Sequence, residues 1–328
     1  MSKKTDGLLT IIVPCYNAEK YLNRCFSSLA SLNEKDITVL FVNDGSTDKT
    51  LQVLEHWAEN RANVCIVSKE NGGYATAINT GLDHCGSEYV MFMGVDDELV
   101  AEGIDRVCFD LREEHPDILT FSTVKYYDDA KEGGVQREID SSTKYTKPGF
   151  YTMDAVALYR KLGCDAWILF SRDTSRCFKM TLLGELRYFG KTGVSADGCF
   201  ASLAACKAKS FSFVNELCYL WHVHRDSVSG RSKTMEKLVE EAEVWAAFFA
   251  QIRMEFASIP DPIINHFFVY KKLIVALRAA GMTALAQEHE IGAKAFSTWA
   301  LKSIPLSKKA RFKLMFPKLF SFVLEMSK

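Results

Sequence analysis

The chain has 328 residues, 48% of them hydrophobic, enough for one large core with an appendage or for two domains. A formal net charge of −1 gives no field that would gather nucleic acid, and no apolar run is long enough to span a bilayer. Ten cysteines with no Cys-x-x-Cys pair favour reduced thiols in a cytosol over a disulfide framework or a zinc site.

The first element is "LLTIIVPC". Lys3 and Lys4 before it give it the outline of a secretion signal, but Pro14, Asn17 and Glu19 interrupt it and no small-residue cleavage site follows. It therefore reads as a strand. A helix from Ala18 would place Leu22, Cys25, Phe26 and Leu29 on one face. "DITVLFVN" is a second strand ending in "NDGSTD", followed by a helix with Leu51, Leu54 and Ala58 inward. "NVCIVS" is a third strand, "ENGG" its turn, and a helix through Ile78 and Leu82 leads to a fourth strand, "EYVMFM". Nearly continuous apolar strands alternating with helices predict an α/β fold whose parallel sheet is covered on both faces. Ligands of such sheets bind at the carboxyl ends of the strands. Here those ends are "PCYNAE", "NDGSTD", "KENGG" and "GVDDE", all polar and rich in turn residues.

From Asp117 the pattern changes. "DILTFSTVKYY", "AWILFSR" and "KSFSFVNE" read as strands, a helix is expected over Phe200 to Ala205, and the polar stretch from Asp128 to Lys147 as a mobile loop. This half would be a mixed sheet carrying the partner-specific part of the site. From Ser232 onward the chain reads helical, with Leu238, Ala242, Trp245, Phe249 and Ile252 in one stripe and Phe267, Ile274 and Leu277 in another. The division is expected near Arg231, giving an α/β domain over 1–230 and a helical region over 231–328. From Trp299 to Lys328 there are seven Lys or Arg against the single acid Glu325, interleaved with Leu306, Phe312, Met315 and Phe316. Such a segment suits an anionic membrane surface, and it equally suits a helix packed on its own domain with a solvated charged face.

Adjacent acids at a strand tip, Asp96 and Asp97, can hold a hard divalent cation, although a capped turn explains them as well. In "NDGSTD", Gly45 allows a tight turn and Ser46, Thr47 or Asp48 can cap the next helix. Asp44 is harder to explain that way, because the end of a buried strand is a costly place for a free carboxylate. A ligand N–H, such as a nucleobase edge, would satisfy it. Tyr16 offers a ring face for stacking, and Asn17 can cap the first helix. His222 and His224, two apart on a strand, point the same way.

Together, "TIIVPCYNAEKYLNRCFSSL", "FVNDGSTDKT", "ENGGYATAINTGL" and "YVMFMGVDDEL" resemble, in order and spacing, the family 2 glycosyltransferases with the GT-A fold. "AWILFSRD", "SADGCFASLAACKAKSFSFVNE" and "YLWHVHRDSVSG" look like that family's acceptor-side segments, so the resemblance covers about residues 8 to 230. It implies an inverting sugar transferase of the bacterial cell-surface polysaccharide type. The donor would be a nucleotide sugar, UDP-linked, and the acceptor a glycan or lipid-linked glycan, with no nucleic acid partner. By the same resemblance Pro14, Tyr16, Asn17 and Glu19 match the nucleotide loop and Asp44 the acid that reads the base. Asn71 and Gly72 match the loop near base and ribose. Asp96 matches the final acid of the DxD motif, which holds Mn²⁺ or Mg²⁺ on the donor diphosphate, with Asp97 and His224 as further candidate ligands. Asp197 matches the general base. Trp167, Trp221, His222 and Ser227 fall on the diphosphate and acceptor side.

Four positions depart from the family pattern: Gly94 stands where the DxD motif begins, Ala75 where a small polar residue is common, Ile78 where Arg is common, and Ala196 where Glu usually precedes the base. Two other functions follow from these features. A nucleotidyltransferase shares the α/β core, but "PCYNAEKYL" is not its Gly-rich, Arg- and Lys-bearing phosphate loop. A non-catalytic nucleotide-sugar-binding partner of an active transferase would account for the missing charges.

Overall fold

The computed structural model describes residues 7–127, 136–139, 147–193, 195–224 and 234–315. Strands β1 (Leu9–Cys15), β2 (Ile37–Asp44), β3 (Val64–Lys69) and β4 (Tyr89–Phe92) run parallel in the order β3-β2-β1-β4. The sheet separates two apolar clusters. Ile11 and Val13 of β1 face α1 (Leu22–Leu29) and α2 (Thr50–Ala58), through Leu22, Phe26 and Leu54. Ile12, Val42 and Phe92 face α3 (Tyr74–His84), through Ala75, Ile78 and Leu82. Burial on both faces is why β1, β2 and β4 are apolar at nearly every position, whereas β3, at the sheet edge, is only half-buried.

The second half is mixed, as its pattern predicts. Strand β5 (Glu98–Leu99) and helix α4 (Ala101–Glu114) follow the acidic tip, and β6 (Ile118–Tyr127) returns to the sheet. Strand β7 (Gln136–Ile139) pairs antiparallel with β6, so part of the stretch expected to be a loop is an edge strand, and the rest lies outside the described residues. After β8 (Gly149–Thr152) and α5 (Ala155–Leu162), "AWILF" forms a 3₁₀ helix, Gly163–Phe170, rather than a strand. Its buried residues explain the difference: Ala166, Leu169 and Phe170 recur at helical spacing, not in alternation. Strand β9 (Arg176–Lys179) then lies antiparallel between β4 and β6. Helices α6 (Met180–Leu183) and α7 (Ala196–Lys207) precede β10 (Ser210–Val223), which runs parallel to β6 and antiparallel to β5 and β8.

Helices α8 (Met235–Glu255), α9 (Asp261–Ala279), α10 (Thr283–Ser303) and α11 (Lys308–Met315) complete the chain. The boundary expected near Arg231 lies outside the described residues. The helices share a core with the sheet: one apolar cluster runs from Ile12 and Phe92 through Phe200 of α7 to Trp245, Phe249 and Phe296. In α11, Ala310 and Leu314 are buried and Lys313 Nζ donates to Asn265 Oδ1 of α9 (2.7 Å). Tail residues beyond Met315 lie outside the described residues. Among the described residues no helix is long and apolar enough to cross a membrane.

Candidate active site

The carboxyl ends of the parallel strands are stitched together by their own loops. Asn17 does not cap α1, which begins only at Leu22. Its side-chain Oδ1 instead accepts from the Thr47 amide (2.8 Å) and more weakly from that of Asp48 (3.4 Å). The Ala18 amide donates to Thr50 Oγ1 (2.8 Å), and Glu19 Oε2 accepts from the Lys49 amide (3.4 Å). The Ala18 carbonyl accepts from the Tyr21 amide (2.8 Å), closing one turn before α1 begins. Pro14 is buried inside β1, in register with Val42, whereas the Tyr16 ring is 52% exposed over the loop.

Asp44, at the end of β2, needs no ligand to satisfy it. Its Oδ1 accepts from Lys69 Nζ (2.6 Å) and the Gly72 amide (3.0 Å), and its Oδ2 from the Gly73 amide (2.8 Å). The expectation from sequence missed these partners because Lys69 and the glycine turn are distant along the chain. Their effect is to fix the Asn71–Gly73 turn against the tip of β2. Ile78, at the position where the family commonly has Arg, is fully buried in the core and faces away from this surface.

The acidic segment Gly94–Glu98 meets the end of β10 because β5 pairs with Tyr219 and Leu220. Asp97 folds back into the protein, accepting from the Tyr219 hydroxyl (2.5 Å) and the His222 amide (2.8 Å). The Gly94 amide donates to the same Tyr219 oxygen (3.0 Å). Burial raises the Asp97 pKa well above the ordinary carboxylate range, and the neighbouring Asp96 adds to the shift. Asp96 stays at the rim, with Oδ2 at 2.8 Å from His224 Nε2 and its main-chain oxygen accepting from Arg24 Nη2 (2.5 Å). Glu98 Oε1 pairs with His222 Nε2 (2.7 Å). Each histidine carries a stacked ring, Tyr126 on His222 (centroids 5.4 Å apart) and Tyr21 on His224 (5.1 Å). Gly94 now has a structural meaning. A Cβ there would stand 2.5 Å from Asp97 Oδ2 and 2.8 Å from Asp96 Oδ1. The Asp97 carboxylate thus fills the space into which a side chain at 94 would project.

Asp197 lies in the first turn of α7. Burial raises its pKa, against the opposing pull of the Gly198 amide and the guanidinium groups of Arg172 and Arg176. Asp173, buried beside it, is pushed up to about 7 by burial and then by the Asp197 charge, and accepts from the Tyr188 hydroxyl. Arg172 also lies over the Trp221 ring (5.2 Å), with Lys125 Nζ at 5.3 Å from that ring. Tyr74 is the first residue of α3, and its ring lies against Gly193. Burial raises its hydroxyl pKa, and after burial the charges that raise it are those of Asp173, Asp197, Asp97 and Asp96.

The fold therefore brings Asp44, Asn71, Gly72, Asp96, Asp97, His222, His224, Trp221 and Asp197 to one end of the sheet. Ser227 and the Trp167 side chain lie outside the described residues. Asp173, Tyr74, Arg24, Arg172 and Tyr219 were not singled out from sequence. Asp173 had a signal, an acid three residues after the apolar run "AWILF", which the strand reading hid. For divalent cations, Asp96 and His224 put a carboxylate oxygen and an imidazole nitrogen side by side. Among the described residues no group of three or more His, Cys, Asp or Glu is arranged to hold a metal ion, so Asp96, Asp97 and His224 are not a ready-made cage. A pair of rim ligands does fit the habit of Mg²⁺ or Mn²⁺ at phosphates, where one or two side chains suffice and the substrate supplies further oxygens.

A mixed, mainly parallel sheet with its polar loops and acid segment at the strand ends defines the GT-A class of fold. The chain belongs to glycosyl transferase family 2, whose model matches residues 10–178, over half of the 328 residues. It is 26% identical over 283 residues to glycosyltransferase GlyA of Streptococcus pneumoniae, covering 85% of this chain and 39% of that protein. To the poly(ribitol-phosphate) beta-glucosyltransferase of Bacillus spizizenii it is 27% identical over 224 residues, 66% of this chain and 32% of the relative. The chain thus spans well under half the length of these curated relatives. Among solved structures, Staphylococcus aureus TarS 1-349 in complex with UDP-GlcNAc superposes with a TM-score of 0.57 at 18% identity, covering 87% of this chain and 89% of that one. Mannosyltransferase PcManGT from Pyrobaculum calidifontis, in complex with GDP-Man and Mn2+, superposes with a TM-score of 0.53 at 16% identity, covering 98% and 90%.

Proposed function

We propose that the protein transfers a sugar, with inversion, from a UDP-sugar to a glycan or lipid-linked acceptor in cell-surface polysaccharide synthesis. The observation that carries this reading is the gathering of two acid stations at one end of the sheet: Asp96 beside His224, and Asp197 at the start of α7 beside the buried Asp173. Asp44 and the turn it holds offer the nucleotide a fixed edge, and Tyr16 offers an exposed ring for stacking. The TarS complex, which holds UDP-GlcNAc on a similar fold, supports a UDP-linked donor.

The acceptor hydroxyl attacks the anomeric carbon from the face opposite the diphosphate. The new carbon–oxygen bond forms as the bond to the phosphate oxygen breaks, and the diphosphate leaves with the electron pair. Asp197 takes the acceptor proton during attack. Its raised pKa suits that task, because a base works best when its pKa approaches the working pH. Arg172 and Arg176 keep it from being protonated too readily. Asp96 and His224 would hold a divalent cation together with the donor phosphates, and such a cation neutralises charge on a leaving diphosphate. His222 is tied to Glu98 and its amide to Asp97, so its role is to brace the acid segment. Trp221 between Lys125 and Arg172 lines the acceptor side.

We further place the protein in the cytoplasm, peripheral on the inner membrane face, with residues 1–230 as the transferase domain. The exposed Lys308, Arg311 and Met315 of α11 support an anionic-surface contact. The test is incubation of the protein with UDP-sugars and Mn²⁺ or Mg²⁺, following UDP release and product anomer by NMR. Cation-stimulated release with an inverted anomer supports the reading. Tight donor binding without turnover, measured by thermal shift, supports instead a non-catalytic nucleotide-sugar-binding partner, the reading favoured by Gly94 and Ala196.

A further inference from the structure

We infer that the C-terminal helices are a working part of this site: Glu240 and Glu241 of α8 position the loop residues 190–193 and Ser195, which lead into the base helix and pack on the first residues of α3. One oxygen, Glu240 Oε1, accepts from the backbone amides of both Lys191 (2.5 Å) and Thr192 (2.7 Å). Glu241, only 3% exposed, accepts from the Ser195 hydroxyl (2.8 Å), two residues before Asp197. The loop's other side faces α3: the Lys191 carbonyl accepts from the Ala75 amide (2.9 Å).

Two glycines let the loop lie flat in this gap. Gly190 (φ 71°) has no room for a side chain, since a Cβ would meet Glu240 Oε1 at 2.8 Å and Val244 Cγ2 at 2.9 Å. Gly193 (φ 81°) lies against the Tyr74 ring, which a Cβ would meet at 2.6 Å. The loop is thus held between α8 on one side and the first residues of α3 on the other. A carboxylate accepting backbone N–H bonds is among the stronger restraints available to a loop, and a loop with few apolar contacts opens at low cost without one. The matched family region ends at residue 178, before both the loop and α8. The clamp therefore gives a structural purpose to the part of the chain that the family match leaves unexplained. Glu240 is a positioning residue in this account, since it acts on Asp197 and Tyr74 through the loop.

The test compares wild type, Glu240→Ala and Glu240→Gln by amide hydrogen exchange at residues 190–195, by UDP binding and by turnover. The kinetic arm rests on the proposed transfer with Asp197 as base, whereas the exchange arm tests the clamp alone. Glu240→Ala should speed exchange at Lys191 and Thr192 at least tenfold and lower kcat at least tenfold, with UDP affinity changed less than threefold. Glu240→Gln keeps an acceptor oxygen without its charge and should fall between wild type and Glu240→Ala in exchange and kcat. Unchanged exchange in Glu240→Ala overturns the clamp. Faster exchange with undiminished turnover overturns its positioning role, and so does a Gln variant as impaired as Ala. If Glu240→Ala does not fold, Ser195→Ala, which removes one hydroxyl, should still speed exchange at Ser195 and the residues beside it. No change there overturns the proposal. A wild type inactive on every donor contradicts the transfer reading and leaves the exchange arm to decide the clamp.

Discussion

Replacing Tyr219 by Phe deletes one oxygen atom and tests how the acid segment is held. The side chain is 1% exposed, and its hydroxyl both accepts from the Gly94 amide (3.0 Å) and donates to Asp97 (2.5 Å). A hydrogen bond contributes about 1 kcal/mol net, and a buried polar group left without a partner costs about 1–3 kcal/mol, so the loss should be about 2–4 kcal/mol. The ring itself remains, so no cavity term enters. Urea unfolding of wild type, Tyr219→Phe, Asp97→Asn and the double variant measures both the loss and the coupling between the two residues. Because they share one hydrogen bond, the double variant should be about 1 kcal/mol or more less destabilised than the sum of the singles. A loss below about 0.5 kcal/mol, or strict additivity, would show that Tyr219 does not hold Asp97, and the account of why Gly94 is tolerated would fall with it.

Three further outcomes follow. Gly94→Asp should destabilise by about 1–3 kcal/mol rather than strengthen Mn²⁺ dependence, because the new side chain meets the Asp97 carboxylate; urea unfolding and an Mn²⁺ titration of turnover check both parts. Tyr74→Phe should leave stability within about 0.5 kcal/mol and UDP affinity unchanged. It should cost about tenfold in kcat/KM, the worth of about one hydrogen bond to substrate, as steady-state kinetics would reveal. Asp173, held at about 7 in the fold, retains its proton above the pH at which the unfolded chain loses it. Its contribution to stability is therefore complete in acid and lost as pH rises toward about 7. Asp173→Asn should flatten that part of the stability profile, which urea unfolding measured across about pH 4 to 8 would show.

The parallel half of the fold was legible because β1, β2 and β4 are buried on both faces, so their apolar runs could mean little else. Its polar strand ends pointed to the site for the same reason, since a loop in that place is free to be polar. The mixed half was less legible. A strand and a 3₁₀ helix both hide apolar residues, and only the spacing of Ala166, Leu169 and Phe170 separates them. Asp44 was found for a reason that the structure replaces: its partners are Lys69 and two backbone amides, which no local pattern announces. Asp173, Tyr74 and Glu240 act through neighbours remote in sequence, so their burial and proximity became visible only once the chain was folded. Gly94 was legible as a departure. Its cause, the Asp97 carboxylate lying where a side chain would go, was not.

The most direct test of the central claim is Asp197→Asn assayed for transfer and for UDP binding on the same preparation. Asn keeps the shape of the side chain but cannot take a proton from the acceptor, and general-base catalysis contributes about 10²–10⁴-fold. The account predicts a loss of transfer in that range with UDP affinity within about threefold of wild type, the fold-change corresponding to less than 1 kcal/mol. Undiminished transfer by Asp197→Asn would contradict it.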